Sequence, residues 1–304
     1  MKIYLSKINE SWIIDRVRKE WYENNKDIST KFIKKADVVW IISPWLWTKI
    51  PKNLLKNKKV ICSHYHFDFD NFDKNDFYSL DSYVDEYHVI SNKTKDQLRR
   101  LTDKKITSIP FWINQNLFFE IENKEAIRKE YGFENAEYLI GSFQRDSEGS
   151  NLSQPKLIKG PDIFFKLVTQ MYEQNKKIKI VLAGKRRDYL ISKLKENDIP
   201  FKYFEMVDGK KLNKLYNILD LYIVSSRIEG GPQAILESSI TKTPILSTDV
   251  GVASEILNKK SIYKVSNFIN AKTDVEYAYN KAQQYIIPNG MNLFRNMFEK
   301  FYEN

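Results

Sequence analysis

Two carboxylates eight residues apart are the feature of this 304-residue chain that most directly suggests chemistry. Glu229 begins a Glu-Gly-Gly-Pro loop that follows an apolar run, and Glu237 lies about a turn and a half into the helix predicted after the loop. The free N–H groups of a helix start and an adjacent Gly-Gly backbone form a site for anions or for sugar hydroxyls. Because ligands of open α/β sheets bind outside the carboxyl ends of the strands, we predict that both carboxylates face one crevice there.

The elements that would position these carboxylates belong to an alternation of strands and helices. In the first part of the chain, short β-branched runs with polar breaks predict strands, and segments of amphipathic spacing between them predict helices. This alternation indicates a mostly parallel sheet with helices on both faces. The predicted strands are 2–5, 38–43, 60–63, 86–91 and 106–110, and the predicted helices are 12–24, 76–84 and 93–102.

The alternation restarts after a polar stretch, which predicts a second α/β domain. A short helix over 123–131 is expected to end at Gly132, a residue suited to the left-handed C-cap. Pro161 stands just inside a helix start, where its missing N–H costs nothing. The predicted strands are 138–143, 178–183, 201–207, 221–225 and 244–247, and the predicted helices are 161–175, 188–197, 210–219, 233–241 and 291–302.

Composition limits the class of protein. Apolar residues make up 42% and aromatic residues 14%, which excludes a disordered chain, and the length favours two domains over one. The single cysteine, Cys62, excludes an internal disulfide and fits a reducing compartment. The most apolar window, 38–47, is broken by Pro44 and is far shorter than the roughly 20 residues of a membrane-spanning helix. Neither a signal peptide nor a transmembrane segment is predicted.

The net charge of +10 is spread over both halves of the chain, whereas the glycines are not, because the first 131 residues contain none. The charge favours a solvated surface, with anionic lipid headgroups, phosphorylated substrates or nucleic acid as alternatives. Since glycine allows a backbone to approach a ligand closely, the glycine distribution predicts that a phosphate-binding loop lies in the C-terminal part.

The segment around the two carboxylates resembles the GT-B glycosyltransferases, and among them the retaining glycosyltransferase family 4. The hallmark of that family is Glu-x7-Glu beginning in a Glu-Gly loop, present here as Glu229-Gly-Gly-Pro-Gln-Ala-Ile-Leu-Glu237. The stretch 244–255 is similar to the usual continuation, and the preceding helix, with Tyr216 and Asp220, fits as well. Further matches in order along the chain are Gly141-Ser-Phe-Gln-Arg145, Lys159-Gly160-Pro-Asp162 and Leu182-Ala-Gly184-Lys185.

The resemblance implies a nucleotide-sugar donor site on the second domain. Arg145 and Lys159 would hold the diphosphate, because two fixed cations neutralise the charge that grows on the leaving nucleoside diphosphate. Glu237 would hold the ribose hydroxyls, and Glu229 with the Gly-Gly amides would contact the transferred sugar. The implied donor-binding set is Arg145, Lys159, Gly160, Gly184, Lys185, Gly230, Gly231, Pro232 and Glu237.

The resemblance implies fewer site residues in the first domain. The family often carries a strand-end histidine facing the transferred sugar, and His64 and His66 lie at such a position. We therefore assign His64 and Glu229 as catalytic and His66 and Asp68 as acceptor contacts, with a hydrogen-bonded structural role as the alternative for His64. Asp68-Phe-Asp70 spells the Asp-x-Asp of metal-dependent transferases. Because the two cations and Glu-x7-Glu already provide for the diphosphate, no metal or other cofactor is expected.

Simpler interpretations stand beside these assignments. Glu237 could complement its helix dipole only, and Arg186 and Arg187 are predicted to lie in a solvated loop. The tryptophans at 40, 45 and 47 are predicted to pack in the core or between domains, although an exposed member could serve an acceptor. The thirteen residues between Arg145 and Lys159, more than the family usually has, are predicted to cover the donor or to contact the acceptor.

We therefore predict a two-domain α/β enzyme of the GT-B fold, with two Rossmann-like parallel-sheet domains and an interdomain cleft. Residues 1–118 would form the acceptor domain, 119–288 the donor domain, and 289–304 a helix that crosses back to the first domain. The predicted enzyme moves a sugar from a UDP- or GDP-sugar to a glycan or lipid-linked acceptor, with retained configuration. It would be cytoplasmic, with peripheral contact to an anionic membrane.

There are three alternatives to this enzyme, two from other classes of protein and one from among the enzymes. One is a non-catalytic GT-B protein that binds a sugar or a nucleotide, and another is a sugar-nucleotide epimerase on the same fold. A basic nucleic-acid-binding protein is the third, but the sequence has no recognised nucleic-acid-binding motif and its basic residues form no single stripe. No nucleic-acid partner is therefore expected.

Overall fold

The computed structural model describes residues 1–7, 13–150 and 152–303, and the chain divides into two compact units. Unit 1 comprises Met1–Trp112 and Tyr285–Asn304, and unit 2 comprises Ile113–Gln284. Each unit is built on a parallel sheet with helices between its strands.

Unit 1 has a five-stranded parallel sheet within its described residues, and the strands lie across the sheet in chain order. Ile3 also forms a parallel bridge with Ser29. The strands are β1 (Ile3–Leu5), β2 (Val38–Ile41), β3 (Lys59–His64), β4 (Glu86–Val89) and β5 (Ile106–Ser108). The helices are α1 (Ile13–Asn24), α2 (Lys52–Leu55), α3 (Lys74–Asp81), α4 (Asn92–Leu98) and a C-terminal helix (Asn289–Glu303).

The sheet of unit 1 is buried on both faces, which explains why β1 and β2 are continuous apolar runs. All four residues of β2 are buried, and successive side chains of a strand point to opposite faces. Trp40 packs on one face against Trp21 and against Phe294 of the C-terminal helix, with ring centroids 5.5 and 5.4 Å away. Val39 belongs to the core of the opposite face. The C-terminal helix is therefore part of the hydrophobic core of unit 1.

Unit 2 contains a parallel sheet and a short antiparallel ribbon. Its strands are β6 (Tyr138–Ser142), β7 (Ser147–Glu148), β8 (Gln154–Pro155), β9 (Ile178–Ala183), β10 (Phe201–Phe204), β11 (Leu221–Val224), β12 (Ile245–Thr248) and β13 (Ile262–Tyr263). Its helices are α5 (Lys124–Glu130), α6 (Pro161–Gln174), α7 (Asp188–Glu196), α8 (Gly209–Ile218), α9 (Gln233–Ile240), α10 (Ala253–Ile256) and α11 (Val275–Ala282).

The strand order of unit 2 identifies the edge at which a ligand is expected. The six strands of the sheet lie in the order β10-β9-β6-β11-β12-β13, and β7 pairs with β8. The chain leaves β6 toward β9 and β10 and returns on the other side of β6 at β11. Open α/β sheets bind ligands at the carboxyl ends of strands that flank such a reversal. A ligand site is therefore expected at the loops that follow β6 and β11.

Several helices start after a capping side chain, and two of these caps explain where the predicted helix bounds were wrong. The helices predicted over 76–84 and 93–102 begin earlier, because Asp73 accepts from two backbone N–H groups of α3 and Ser91 accepts from one of α4. The helix predicted over 123–131 is confirmed as α5, with Asn123 as its N-cap and Gly132 at φ +67° after it. Residue 12, where another helix was predicted to start, lies outside the described residues.

Several connections contain single-turn or slightly longer 3-10 helices. Among the residues that the structure describes, no helix is both long enough and apolar enough to cross a membrane. The 3-10 helices are Ile33–Lys35, Pro44–Lys49, Phe69–Asn71, Leu157–Lys159, Lys259–Ser261, Val265–Asn270 and Gln283–Tyr285.

Candidate functional site

An ion pair joins two loops at the carboxyl edge of the sheet in unit 2. The Nζ of Lys159 contacts Oε1 of Glu229, and the two side chains are only 17% and 14% exposed. Lys159 ends the 3-10 helix before α6, whereas Glu229 lies in the loop after β11. The sequence assigned both residues to one site as separate contacts, and the structure brings them together directly.

Two glycines allow the loops of this edge to approach each other at backbone distance. Gly160 has φ +62°, and a Cβ on it would lie 1.9 Å from the carbonyl oxygen of Ser225 at the end of β11. Gly251 has φ +48°, and a Cβ on it would lie 2.1 Å from the carbonyl oxygen of Gly230. Any larger residue would clash with backbone and strain φ at both positions. Gly230 and Gly231 are thus held against the loop that follows β12.

The amide of Gln144, which the sequence did not single out, bridges the loops after β6 and β11. Its Nε2 donates to the carbonyl oxygen of Lys159 at 2.9 Å, and its Oε1 accepts from Ser226 Oγ at 3.2 Å. The hydroxyl of Thr248 donates to the carbonyl of Ser226 at 2.6 Å. The position of this polar residue, two residues after the end of β6 and next to Arg145, was the signal in the sequence that could have identified it. These contacts fix the backbone that carries Lys159.

Glu237 has a specific side-chain partner. It is 5% exposed on α9, and Oε2 accepts a hydrogen bond from the hydroxyl of Tyr216 at 2.9 Å. Burial, together with the negative charge of Glu237, raises the pKa of Tyr216 well above its usual value, so the phenol remains a donor. Pro232 precedes α9 as its N-cap residue and is buried. The carboxylate is therefore held at the base of the Gly-Gly loop.

Two of the predicted donor cations are exposed. Arg145 follows β6 and Lys185 follows β9, and within the described residues neither side chain makes a hydrogen bond or an ion pair. Gly184, at φ +94°, lies between β9 and Lys185, and a Cβ there would lie 3.3 Å from the carbonyl oxygen of Phe143. The loops that carry the two cations are therefore neighbours, and both positive charges are open to an anion.

Arg187 does not lie in a solvated loop, so that prediction was wrong. Its side chain is fully buried and donates to Asp146 Oδ2 at 2.6 Å and to the carbonyl oxygens of Ser142 and Ala183 at 2.7 and 3.0 Å. Asp146 compensates the buried charge, and the two carbonyls at strand ends satisfy further guanidinium hydrogens. Arg186, its neighbour, is exposed as predicted.

The segment between Arg145 and Lys159 folds onto the start of α7 in its described part. The hydroxyl of Ser147 accepts from the backbone N–H of Tyr189 at 2.8 Å, and the N–H of Lys156 donates to the carbonyl of Asp146 at 2.7 Å. Lys156 also pairs with Glu148 across the β7–β8 ribbon. The described residues of this segment thus pack against α7 within unit 2.

The histidine assigned as catalytic is enclosed by aromatic rings at the carboxyl end of β3. His64 is 9% exposed and stacks on Phe67, with centroids 5.0 Å apart, while Phe77 and Tyr87 lie against it at 5.7 and 5.6 Å. Within the described residues its Nε2 has no hydrogen-bond partner. Burial, and then the neighbouring His66, lower the pKa of His64 to about 4. The imidazole is therefore neutral at neutral pH.

The two residues assigned to the acceptor lie just beyond β3. His66 and Asp68 are both partly exposed, and Asp68 Oδ2 accepts from the side-chain amide of Asn71 at 2.8 Å. Asp68 precedes the 3-10 helix Phe69–Asn71 without capping it through its side chain. Both residues therefore remain accessible on the surface of unit 1.

The three tryptophans in and after β2 differ in exposure. Trp40 and Trp47 are buried, which confirms their predicted core packing, and Trp47 Nε1 donates to Asp76 Oδ1 at 3.0 Å. Trp45 is 43% exposed and lies over Tyr65, with ring centroids 5.8 Å apart. Trp45 is thus the member of the three that is open to a ligand.

Known proteins share both sequence and fold with this chain. Residues 152–290 match the family model described as glycosyl transferases group 1. Protein CapJ of Staphylococcus aureus is 28% identical over 174 residues, which are 55% of this chain and 42% of CapJ, so the match spans less than half of that relative.

Two solved structures resemble almost the whole chain. HepE of Anabaena, in complex with UDP-glucose, has a TM-score of 0.73 at 12% identity, over 98% of this chain and 99% of HepE. Sucrose-phosphate synthase of Thermosynechococcus elongatus has a TM-score of 0.71 at 12% identity, over 98% of this chain and 82% of that one. The predicted fold class is confirmed: the chain has the GT-B fold with two Rossmann-like domains. The family match covers fewer than half of the residues of this chain, and the solved structures show its fold.

Proposed function

We propose that this protein transfers a sugar from a nucleoside-diphosphate sugar to a hydroxyl of a glycan or lipid-linked acceptor, with retention of the anomeric configuration and without a metal ion. The proposal assigns the chain to the retaining family 4 through Glu229 and Glu237. Residues 119–288 would form the donor domain and 1–118 the acceptor domain, with the terminal helix 289–304 returning to the first.

The observation that carries the proposal is the meeting of Lys159 and Glu229 where the strand order of unit 2 reverses. A partly buried cation suits a diphosphate, and a carboxylate beside it suits sugar hydroxyls. The exposed side chains of Arg145 and Lys185 add two positive charges on neighbouring loops. Glu237, fixed by Tyr216, supplies an acceptor for ribose hydroxyls.

The proposed reaction needs no nucleophile from the protein. The bond between the anomeric carbon and the diphosphate oxygen breaks, and the acceptor hydroxyl oxygen bonds to the anomeric carbon on the same face. The hydroxyl proton passes to the departing diphosphate oxygen. Lys159 and Arg145 stabilise the charge that develops there, and Glu229 with Gly230 and Gly231 orients the sugar.

Unit 1 would contribute His64 to the transferred sugar and His66 and Asp68 to the acceptor. A neutral His64 can donate or accept one hydrogen bond through Nε2, the atom left without a partner among the described residues. It cannot serve as a fixed cation at neutral pH. His64→Gln should therefore retain more donor turnover than His64→Ala, while equal turnover of the two variants and wild type would remove His64 from the site.

Donor identity and stereochemistry are tested together. UDP-sugars are the first to test, because HepE was solved with UDP-glucose, and GDP-sugars form the second set. Calorimetric titration identifies the donor, and NMR during turnover identifies the anomer released or transferred. A product of inverted configuration would contradict the retaining assignment. Donor binding without transfer or hydrolysis would favour a non-catalytic protein, and a C2-epimerised sugar would favour an epimerase.

A peripheral contact with an anionic, cytoplasmic membrane face is the last part of the proposal. It is supported by the net charge of +10 and by Phe32, which is 65% exposed between Lys31, Lys34 and Lys35. Sedimentation with phosphatidylglycerol vesicles at low salt should decrease in Phe32→Ser. The control is Ile269→Ser, since Ile269 is 76% exposed on unit 2. Failure of wild type to sediment would remove the membrane contact.

A further inference from the structure

The segments that carry Lys159 and Glu229 are joined by backbone hydrogen bonds close to the ion pair. The N–H groups of Arg227 and Ile228 both donate to the carbonyl oxygen of Ile158, at 2.9 and 3.1 Å. Lys159 directly follows the acceptor residue, and Glu229 directly follows the second donor residue. These backbone hydrogen bonds lie only a few covalent bonds from Lys159 and from Glu229. They therefore couple the positions of the two residues.

A side-chain fork reinforces this junction. Arg227 Nη1 donates to Asp162 Oδ1 at 2.7 Å and Nη2 donates to Asp162 Oδ2 at 2.6 Å. The same Nη1 donates to the carbonyl oxygen of Leu157 at 2.8 Å. A planar guanidinium that is held at two carboxylate oxygens and one carbonyl has little freedom left, and lysine cannot reproduce that geometry. The fork thus holds both ends of the segment that contains Lys159.

The fork is accessible, so its removal does not bury an unpaired charge. The side chains of Arg227 and Asp162 are 42% and 34% exposed. Ion pairs that are open to solvent contribute little to stability. A large stabilising role is therefore not expected for this pair, and its consequence should lie in the geometry of the loops that it connects.

We propose that Arg227 is a positioning residue that, through Asp162 and the carbonyl of Leu157, sets the separation of Lys159 and Glu229 so that both engage one nucleotide-sugar. This inference rests on the proposed donor site. Arg227 contacts the two loops and not the donor. It would matter most for a ligand that spans both loops, which a nucleotide-sugar does and a nucleoside diphosphate without its sugar does not.

The chain contains a matched control fork. Arg295 Nη1 and Nη2 donate to the two carboxylate oxygens of Asp27 at 3.1 and 2.6 Å. The side chains of Arg295 and Asp27 are 26% and 62% exposed, so this fork is also open to solvent. This fork lies in unit 1 and carries no residue of the proposed donor site. Arg295→Lys therefore controls for the general effect of weakening a surface fork.

The test compares dissociation constants of a nucleotide-sugar and of its nucleoside diphosphate, by calorimetry, for wild type, Arg227→Lys, Asp162→Asn and Arg295→Lys. In the first two variants we expect nucleotide-sugar affinity to fall by roughly tenfold and nucleoside-diphosphate affinity by less than about threefold, because misplacement affects the spanning ligand. Arg295→Lys should bind both ligands as wild type does. The swap Arg227→Asp with Asp162→Arg should restore part of the lost affinity.

Two kinds of result would overturn the inference, and they are distinguishable. If wild type binds the donor but Arg227→Lys changes both affinities equally, or changes neither, the positioning role is wrong and the donor site stands. If wild type binds no UDP- or GDP-sugar, the proposed function itself fails and the inference fails with it.

Discussion

Arg187 and Asp146 form an ion pair in which both side chains are buried, with Nε of the guanidinium 2.6 Å from Oδ2 of the carboxylate. The same guanidinium donates to carbonyls at the ends of β6 and β9. Asp146 is the residue after Arg145, and Arg187 is two residues after Lys185. The pair therefore fixes the bases of the two loops that carry Arg145 and Lys185, the exposed cations of the proposed donor site.

Removing one partner of this pair should strongly destabilise unit 2. We expect Arg187→Met to lower the free energy of unfolding by about 3 to 5 kcal/mol, because Asp146 would remain as an uncompensated buried charge. Urea denaturation followed by far-ultraviolet circular dichroism measures the change. Arg186→Asn is the control, since Arg186 is exposed at φ +58°, which asparagine tolerates. A loss below about 1 kcal/mol in Arg187→Met would contradict the buried pair.

Lys159 should matter for binding of the diphosphate itself. We expect Lys159→Ala to weaken nucleoside-diphosphate binding by roughly 10- to 100-fold, since the proposed donor site places this partly buried cation against the phosphates. Calorimetric titration measures this affinity. Lys166→Ala is the matched control, because Lys166 is an exposed lysine on the helix that follows. Equal affinities of Lys159→Ala and wild type would place the diphosphate elsewhere.

The hydroxyl of Tyr216 should support donor binding through Glu237. Tyr216→Phe removes the hydroxyl that donates to Glu237 Oε2 and also contacts the Tyr222 side chain. We expect donor affinity to fall by about 3- to 10-fold, the value of one hydrogen bond. Tyr263→Phe is the control, because the buried Tyr263 hydroxyl donates to the carbonyl of Val224 at 2.9 Å and not to a site residue. If both variants lose stability but neither loses donor affinity, donor binding by Glu237 does not depend on the hydroxyl of Tyr216.

Acid should destabilise unit 1 through His88. This buried imidazole donates from Nε2 to the carbonyl of Ile109 at 2.8 Å and accepts at Nδ1 from Ser63 Oγ at 2.9 Å. Burial lowers the pKa of His88 from 6.5 to about 4. The unfolded chain therefore binds more protons than the folded chain between these values. Stability is fully present above pH 6.5 and falls as the pH drops toward 4, by up to about 3 kcal/mol.

Tryptophan fluorescence can isolate this pH effect. All six tryptophans lie within residues 1–112 of unit 1. Urea unfolding at pH 7.5 and 4.5 should show a smaller pH dependence in His88→Gln than in wild type. Comparison with the variant removes the contribution of carboxylates that titrate in the same range. An identical pH dependence in both proteins would show that folding does not lower the pKa of His88.

The alternation of elements could be predicted from the sequence because strands buried on both faces, such as Val38–Ile41, are uninterrupted apolar runs. Loop glycines were equally informative, since Gly160 and Gly251 stand where no side chain fits. Predictions of the helix ends were less accurate. Amphipathic spacing does not determine where a helix starts, and in α3 and α4 the capping side chains of Asp73 and Ser91 do. Local chemistry thus predicted the elements well and their limits less well.

Contacts between distant residues could not be predicted in the same way. Arg187 follows Lys185 and Arg186, so its sequence neighbourhood indicates solvent, and only the folded chain brings Asp146 to it. The same holds for Arg227, whose fork depends on how the start of α6 lies against the end of β11. Nothing in the spacing of three tryptophans distinguishes the exposed Trp45 from the buried Trp40 and Trp47. These features depend on three-dimensional packing.

The central claim, that this protein cleaves nucleotide-sugars at the site of Lys159 and Glu229, is tested most directly by release of free nucleoside diphosphate across UDP- and GDP-sugars. We expect wild type to release it from at least one donor. In Lys159→Ala and Glu229→Ala the rate should fall by about 100- to 1,000-fold, as for loss of a charge-stabilising group. Wild-type rates in both variants, or no release from any donor that binds, would contradict the claim.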